Sequence, residues 1–385
     1  MRTKFKVLQV IPKLGFGGAE TGCYDLAHYI AEQKCKSFLI TSGGELLKYV
    51  RRDKVKVIYL PVQSKNPVII FINFIIIFFI LLIYNIDIVH ARSRAPAWSC
   101  LWACFFSRKK FVTTYHGTYN FSSKLKQFYN SVMVRSKLII GGSNFIFNHI
   151  NENYQKYLDP QKKKLLVIFR GINLEYFNTK NISGRKLNIL ASNWKINKKN
   201  FILLLPGRLT KWKGQQIFIE SLSLLLERYK KENFHAIILG SDQGRRVFSK
   251  QLLLLVERYR LGKKITFIEN CKEMPLAYKL CDLVISSSIE PEAFGRVAVE
   301  AQAMHKPVIA SDIGGSRETI SNGKSGLLYK HNDHEELAKT INKIMEMSKR
   351  SLILMGEQGR KNVEKKFNVD QMCQSTFTEY KKLLT

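Results

Sequence analysis

The sequence predicts an α/β protein made of two doubly wound, parallel-sheet domains, and three observations predict it. Short apolar runs alternate with helix-like stretches from end to end, the pattern of parallel strands joined by crossover helices. The chain has 385 residues, enough for two domains of ordinary size. The strand series is interrupted once, by a polar and basic stretch at roughly 176–200, and then restarts.

In the first half the strand-like runs are 5–11, 37–41, 55–60, 86–90, 111–115, 137–141 and 165–169. In the second they are 200–208, 235–240, 264–269, 282–288, 307–311 and 326–329. Most are continuous apolar runs, as strands covered on both faces require. The first, ahead of Pro12 and three glycines, reads as a strand rather than a signal peptide. Residues 67–84, PVIIFINFIIIFFILLIY, carry no charge and one Asn from Val68 on, at the lower edge of bilayer-spanning length. The runs 55–61 and 86–93 on either side both read as strands of one sheet, so the segment is expected to be a crossover helix with one face free to dip into lipid. The expected domains are 1–178 and 179–365, with 366–385 a helix packing back on the first.

Composition narrows the function. Sixty-two basic residues against 30 acidic ones give a net charge of +32, which suits nucleic acid, an anionic membrane face or phosphate-bearing substrates. The lysines are dispersed, with short clusters at 108–110, 162–164 and 195–199, and no arginine-rich arm or base-stacking motif accompanies them. Nucleic acid is therefore the weaker partner class. Seven cysteines without a Cys-x-x-Cys pair point to a reducing, cytosolic compartment, with Cys100 and Cys104 as buried thiols on one helix face.

The chemistry concentrates in residues 285–320. Glu292 and Glu300 stand eight positions apart across a loop-to-helix junction, with a helix expected to start near Phe294. Its first turn offers the N–H groups of Gly295, Arg296 and Val297 as a seat for phosphate. Glu300 lies inside an apolar run, where an unpaired charge is costly. Carboxylate, anion cradle and second carboxylate match the order of groups in a sugar–diphosphate–ribose ligand. Arg208 and Lys213, in PGRLTKWKG after a buried strand, can bracket the diphosphate. His116, at another strand end, suits a hydrogen-bond partner or proton carrier, with His90 the competing candidate. Gly17 and Gly18 precede the first helix and form a phosphate- or acceptor-binding loop. Glu20 stands where a dinucleotide fingerprint has its third glycine, which argues against a nicotinamide or flavin role. No Asp-x-Asp or His-x-x-x-His spacing calls for a metal, and Arg208 and Lys213 can neutralise a leaving diphosphate instead.

These segments together resemble a family-four (group 1) glycosyltransferase of the GT-B fold, in which two Rossmann-like domains face each other across a cleft. PGRLTKWKG (206–214), EPEAFGRVAVEAQAM (290–304) and PVIASDIGGSRE (307–318) carry the resemblance most specifically. GGAE (17–20), ARSRAPAW (91–98), TTYHG (113–117), GGSNF (141–145) and VIFRGIN (167–173) fit its amino-terminal half. The resemblance implies an acceptor on the first domain and a nucleotide-sugar on the second. Arg208 and Lys213 would hold the diphosphate, Glu300 the ribose and Glu292 the transferred sugar. Main-chain amides after Phe294 would cap the phosphates, and His116 would touch the sugar near its reacting carbon. It further implies retention of anomeric configuration without a metal. The chain is similar to bacterial enzymes of lipopolysaccharide core synthesis, acting on a lipid-linked acceptor at the inner face of the cell membrane. Two positions depart from the pattern: His305 replaces the glycine usual before KPV, and Asn173 an aspartate. An epimerase or phosphorylase on the same two-domain plan, or a basic nucleic-acid-binding protein, are the competing functions.

Overall fold

The computed structural model describes residues 4–159, 161 and 163–385; Lys162, in one of the basic clusters, falls outside them. The first unit comprises residues 1–171 and 369–385, the second residues 172–368.

In the first unit the order is β1 (Lys6–Val10), α1 (Gly18–Glu32), β2 (Lys36–Thr41), β3 (Val55–Tyr59), α2 (Pro67–Ile83), β4 (Ile88–Ala91), α3 (Arg94–Ser107), β5 (Lys110–Tyr115), α4 (Lys124–Asn130), β6 (Leu138–Gly141), α5 (Asn144–Tyr154) and β7 (Lys164–Val167). The seven strands pair in parallel in the order β3-β2-β1-β4-β5-β6-β7. The order reverses between β1 and β4, which leaves a crevice at their carboxyl ends.

The second unit runs α6 (Gly184–Asn193), β8 (Phe201–Pro206), α7 (Gln215–Glu227), β9 (Phe234–Leu239), α8 (Arg246–Arg258), β10 (Ile265–Ile268), α9 (Met274–Leu280), β11 (Leu283–Ser286), α10 (Arg296–Ala303), β12 (Val308–Ser311), α11 (Ser316–Thr319), β13 (Leu327–Tyr329), α12 (His334–Met345) and α13 (Lys349–Lys366). Its six parallel strands take the order β10-β9-β8-β11-β12-β13, with the reversal between β8 and β11. The polar stretch at 176–200 thus carries a helix of its own, α6. A last helix, α14 (Val369–Leu384), belongs to the first unit, where Phe377 stacks on Phe5 and Tyr380 meets His90.

Every apolar run read as a strand forms one, with ends displaced by at most two residues. The reason is burial on both faces: Leu203, Leu204, Ile237, Ile238, Val284 and Ile309 are all fully enclosed.

Helix α2 is the crossover helix that the flanking strands demand. Asn66 caps it by accepting from the Val68 N–H, and Pro67 takes the first position, where a missing N–H is harmless. It ends at Asn85, which adopts a left-handed conformation (φ 48°). Ile70, Asn73, Ile77, Ile80 and Leu81 make the buried stripe, and the Asn73 amide donates to the Pro61 carbonyl. The other side stays exposed, Phe79 by 54% and Ile83 by 73%. Seventeen residues span about 25 Å, short of the roughly 30 Å hydrocarbon core. Among the described residues no helix is long and apolar enough to cross a membrane.

The two departures from pattern are accommodated locally. His305 takes the left-handed conformation (φ 57°) that glycine would take freely. Asn173 accepts from the N–H groups of Glu175 and Tyr176, the turn an aspartate would make equally well. None of the seven cysteines is in a disulfide, and Cys100 and Cys104 are both buried.

Candidate active site

In the second unit the site grows from the carboxyl ends of β8 and β11, on either side of the reversal. After β8 the chain passes Gly207 and Arg208, makes one short turn over Lys211–Lys213, and enters α7 through Gly214. Gly214 is left-handed (φ 70°), and a side chain there would overlap the Ser287 carbonyl. Ser287 reinforces the contact by donating to the Lys213 and Gly214 carbonyls at 3.2 and 3.0 Å. The loop carrying Lys213 is thereby clamped to the end of β11.

That clamp brings Lys213 to Glu292. The ammonium donates to Glu292 Oε1 at 2.7 Å, with the two side chains only 13% and 11% exposed. The same oxygen accepts from Ser288 at 2.5 Å and from Ser286 at 3.4 Å. Burial alone pushes the Glu292 carboxyl up, but Lys213, then Ser288 and Ser286, outweigh it and hold the group below its ordinary value. Glu292 is therefore a fixed carboxylate. The ammonium has three donors, and one goes to Glu292.

The loop before α10 is held from behind by the Gly-Gly pair after β12. Gly315 N–H donates to the Glu292 carbonyl at 2.8 Å, and a Cβ at Gly315 would come within 2.6 Å of the Phe294 backbone. Phe294 itself is buried (3% exposed) and packs edge-on against Phe367. Because Gly295 turns left-handed (φ 83°) as the cap, α10 starts at Arg296 rather than near Phe294. Its opening turn places the N–H groups of Arg296 and Val297 at the positive end of the helix.

Glu300, buried at 8% exposure, accepts from Arg296 at 2.5 Å and from the Tyr278 hydroxyl at 2.7 Å. Its charge is thus paired, as the apolar run around it requires. Arg208 differs from Lys213: its side chain is exposed, and its backbone carbonyl, not its guanidinium, ties the loop to Gln215 at 2.9 Å.

The remaining candidates lie in the first unit. His116 follows β5, and Arg170 donates to its Nδ1 at 2.5 Å and to its carbonyl at 3.2 Å. Burial, then Arg170, Arg92 and His90, drive its basicity well below the ordinary value. An arginine only donates, so Nδ1 is the acceptor and the proton sits on Nε2. His116 is a neutral hydrogen-bond donor rather than a proton carrier. His90 is a satisfied core residue, bonded to Tyr380 at 2.5 Å and Thr114 at 2.7 Å. Gly17 caps α1, and Gly18 is its first residue; a side chain at Gly17 would collide with the Glu20 carboxylate, which folds back over the helix start.

The geometry joins Lys213 to Glu292 and places Glu300 one turn inside the helix that follows. Four contributors escape the sequence reading: Tyr278, Ser286, Ser288 and Arg170. The serines had a signal, because three hydroxyls in DLVISSS close a strand that is otherwise apolar. Among the described residues no group of three or more His, Cys, Asp or Glu is placed to hold a metal ion.

Two parallel-sheet α/β units, of seven and six strands, define a GT-B type of protein. The match to known families is direct. Residues 16–176 match the model "Glycosyltransferase Family 4", and residues 189–362 the model "Glycosyl transferases group 1". The crystal structure of a glycosyltransferase from Rickettsia africae is 36% identical, with 99% of each chain covered and a TM-score of 0.89. The Anabaena protein HepE, solved in complex with UDP-glucose, shares the fold at 22% identity (98% and 99% covered, TM-score 0.83). A Campylobacter jejuni N,N'-diacetylbacillosaminyl-diphospho-undecaprenol alpha-1,3-N-acetylgalactosaminyltransferase is 25% identical over 84% of this chain and 86% of its own. The chain belongs to the group 1 glycosyltransferases, and it is an enzyme that transfers a glycosyl group.

Proposed function

We propose that this enzyme moves a hexosyl group from a nucleotide-sugar to a membrane-associated glycolipid in cell-envelope glycan synthesis, of the lipopolysaccharide kind, with retention of configuration and without a metal. The buried Lys213–Glu292 pair at the end of β8 and β11 carries the reading. It sets a cation and a fixed carboxylate within one hydrogen bond, which is what a diphosphate bonded to a sugar requires. Lys213 and Arg208 neutralise the leaving diphosphate, and the N–H groups at the start of α10 donate to its oxygens. Glu300 takes the ribose hydroxyls and Glu292 those of the sugar. His116 offers its Nε2–H to a sugar hydroxyl. The HepE complex with UDP-glucose supports a nucleotide-sugar donor, and the Campylobacter relative supports a lipid-linked acceptor.

The membrane side of the reading rests on α2 and α3. Phe71, Phe74, Phe78, Trp102 and Phe106 line an open apolar groove of about 520 Å³ between them. Phe105 and Phe106 stand 75% and 62% exposed next to Arg108, Lys109 and Lys110. An aromatic face with basic residues at its edge, on a chain of net charge +32, fits an anionic bilayer at the cytoplasmic side.

The test is differential binding. Arg208→Ala and Lys213→Ala are expected to weaken a nucleoside diphosphate by about tenfold or more while leaving the nucleoside nearly untouched. Equal effects on both ligands would move the phosphate site elsewhere.

A further inference from the structure

Glu300 is held from two sides by side chains of two different helices. The Tyr278 hydroxyl, on α9, donates to Oε2 at 2.7 Å. Arg296, one turn earlier on α10, donates from Nε to Oε1 at 2.5 Å. Tyr278 is fully enclosed, and its ring stands edge-on to Phe177 with 6.1 Å between centroids. Burial, and then the charge of Glu300, raise its phenol well above the ordinary value, so it stays a donor through the working pH range. Arg296 alone would neutralise the carboxylate. The second bond, from an uncharged and buried phenol, adds direction rather than charge, because the carboxylate cannot turn about its last torsion without losing one holder.

What the two holders leave open is specific. An ionised carboxylate offers about four acceptor positions, two on each oxygen. Among the described residues one position on each oxygen is taken, which leaves one on each, on a side chain still 10% exposed. Two acceptors on the two oxygens of one group match two hydroxyls on adjacent carbons. A ligand that lacks one of those hydroxyls leaves part of a desolvated charge unpaired, and a site built to hydrogen-bond a hydroxyl discriminates strongly against the analogue without it.

We propose that Tyr278 and Arg296 are positioning residues that aim both oxygens of Glu300 at the 2′,3′-diol of the donor, so that sugars carried on ribonucleoside diphosphates are taken and those on 2′-deoxyribonucleoside diphosphates are refused. This rests on the assignment of Glu300 to the ribose made above. Holding the carboxylate in its bound orientation removes an ordering cost from binding, and the diol collects the difference.

The experiment measures, by calorimetry on the full chain, the affinities of UDP, GDP and ADP and of the 2′-deoxy form of each. Wild type is expected to bind its preferred ribonucleotide at least about tenfold tighter than the deoxy form. Tyr278→Phe keeps the packed ring and should bring that ratio down to about threefold or less, raising KM for the nucleotide-sugar far more than it lowers kcat. Arg296→Gln should lower the same ratio, and it carries the test if Tyr278→Phe does not fold. In Glu300→Gln the ratio should be near one, and adding Tyr278→Phe should change it no further, as it must if Tyr278 acts through Glu300. A wild type indifferent to the 2′-hydroxyl overturns the proposal. So does a Tyr278→Phe protein that keeps the wild-type ratio or loses both ligands equally, the mark of a merely structural role. Glu300→Gln that binds ribonucleotide as tightly as wild type sinks the ribose assignment itself, and the proposal with it. Weakened binding in Glu300→Gln beside an unchanged ratio in Tyr278→Phe sinks the proposal alone.

Discussion

Lys213 and Glu292 share one short hydrogen bond and are both largely buried, so removing either strands the other. Lys213→Met is expected to destabilise the second unit by about 3 kcal/mol, the usual loss when one member of a buried pair goes. Adding Glu292→Gln should recover part of it, and a double-mutant cycle by urea unfolding measures how much. Glu292→Gln alone should cut kcat about a hundredfold, because its contacts strengthen in the transition state. The pairing adds a pH dependence. The Glu292 carboxyl is held below its ordinary value in the fold, so its stabilising contribution is full above that value and fades as pH falls through the folded one. Unfolding free energy measured between about pH 6 and pH 3 should fall less steeply in Glu292→Gln than in wild type. A parallel decline in the two proteins would mean that Glu292 carries no such linkage.

At the scale of elements, α2 shows what a sequence discloses and what it withholds. Its existence and length follow from a charge-free run between two strands of one sheet. Which face meets the sheet does not, because an all-apolar helix has no polar side to point outward. Asn73 is the one clue, and it turns inward to the Pro61 carbonyl. Ile77→Ser should therefore cost about 3 kcal/mol of stability, whereas Phe79→Ser should leave folding intact and weaken liposome binding. His305 is a second case. The glycine-usual position announces a left-handed residue, and the φ of 57° obliges. His305→Gly should raise stability by about 1 kcal/mol, read from the urea midpoint at constant slope.

The strands were legible because burial on both faces leaves long apolar runs, and the two carboxylates because one interrupts such a run and the other precedes it. The partners were not. Lys213 and Glu292 lie 79 residues apart, and Tyr278 and Glu300 lie 22 apart. Only the parallel order of β8, β11 and their neighbours brings them together.

For the whole molecule, a net charge of +32 and the exposed aromatic face of α2 and α3 act together. Each basic residue close to an anionic surface adds about 1 kcal/mol, screened by salt. Vesicle co-sedimentation should rise with the anionic lipid fraction, and high salt should release much of the bound protein. Attachment that resists both salt and alkali would contradict peripheral binding. Activity should also survive EDTA; a loss restored by magnesium or manganese would overturn the metal-free mechanism.

Glycosyl transfer from a nucleotide-sugar is expected to run through Lys213 and Glu292. The most direct test offers the purified enzyme a panel of nucleotide-sugars with a bacterial glycolipid extract and measures free nucleotide released by wild type and by Glu292→Gln. The prediction is turnover of one donor by wild type, with release slowed about a hundredfold in the variant. No donor consumed by wild type, or equal rates in the two proteins, would contradict it.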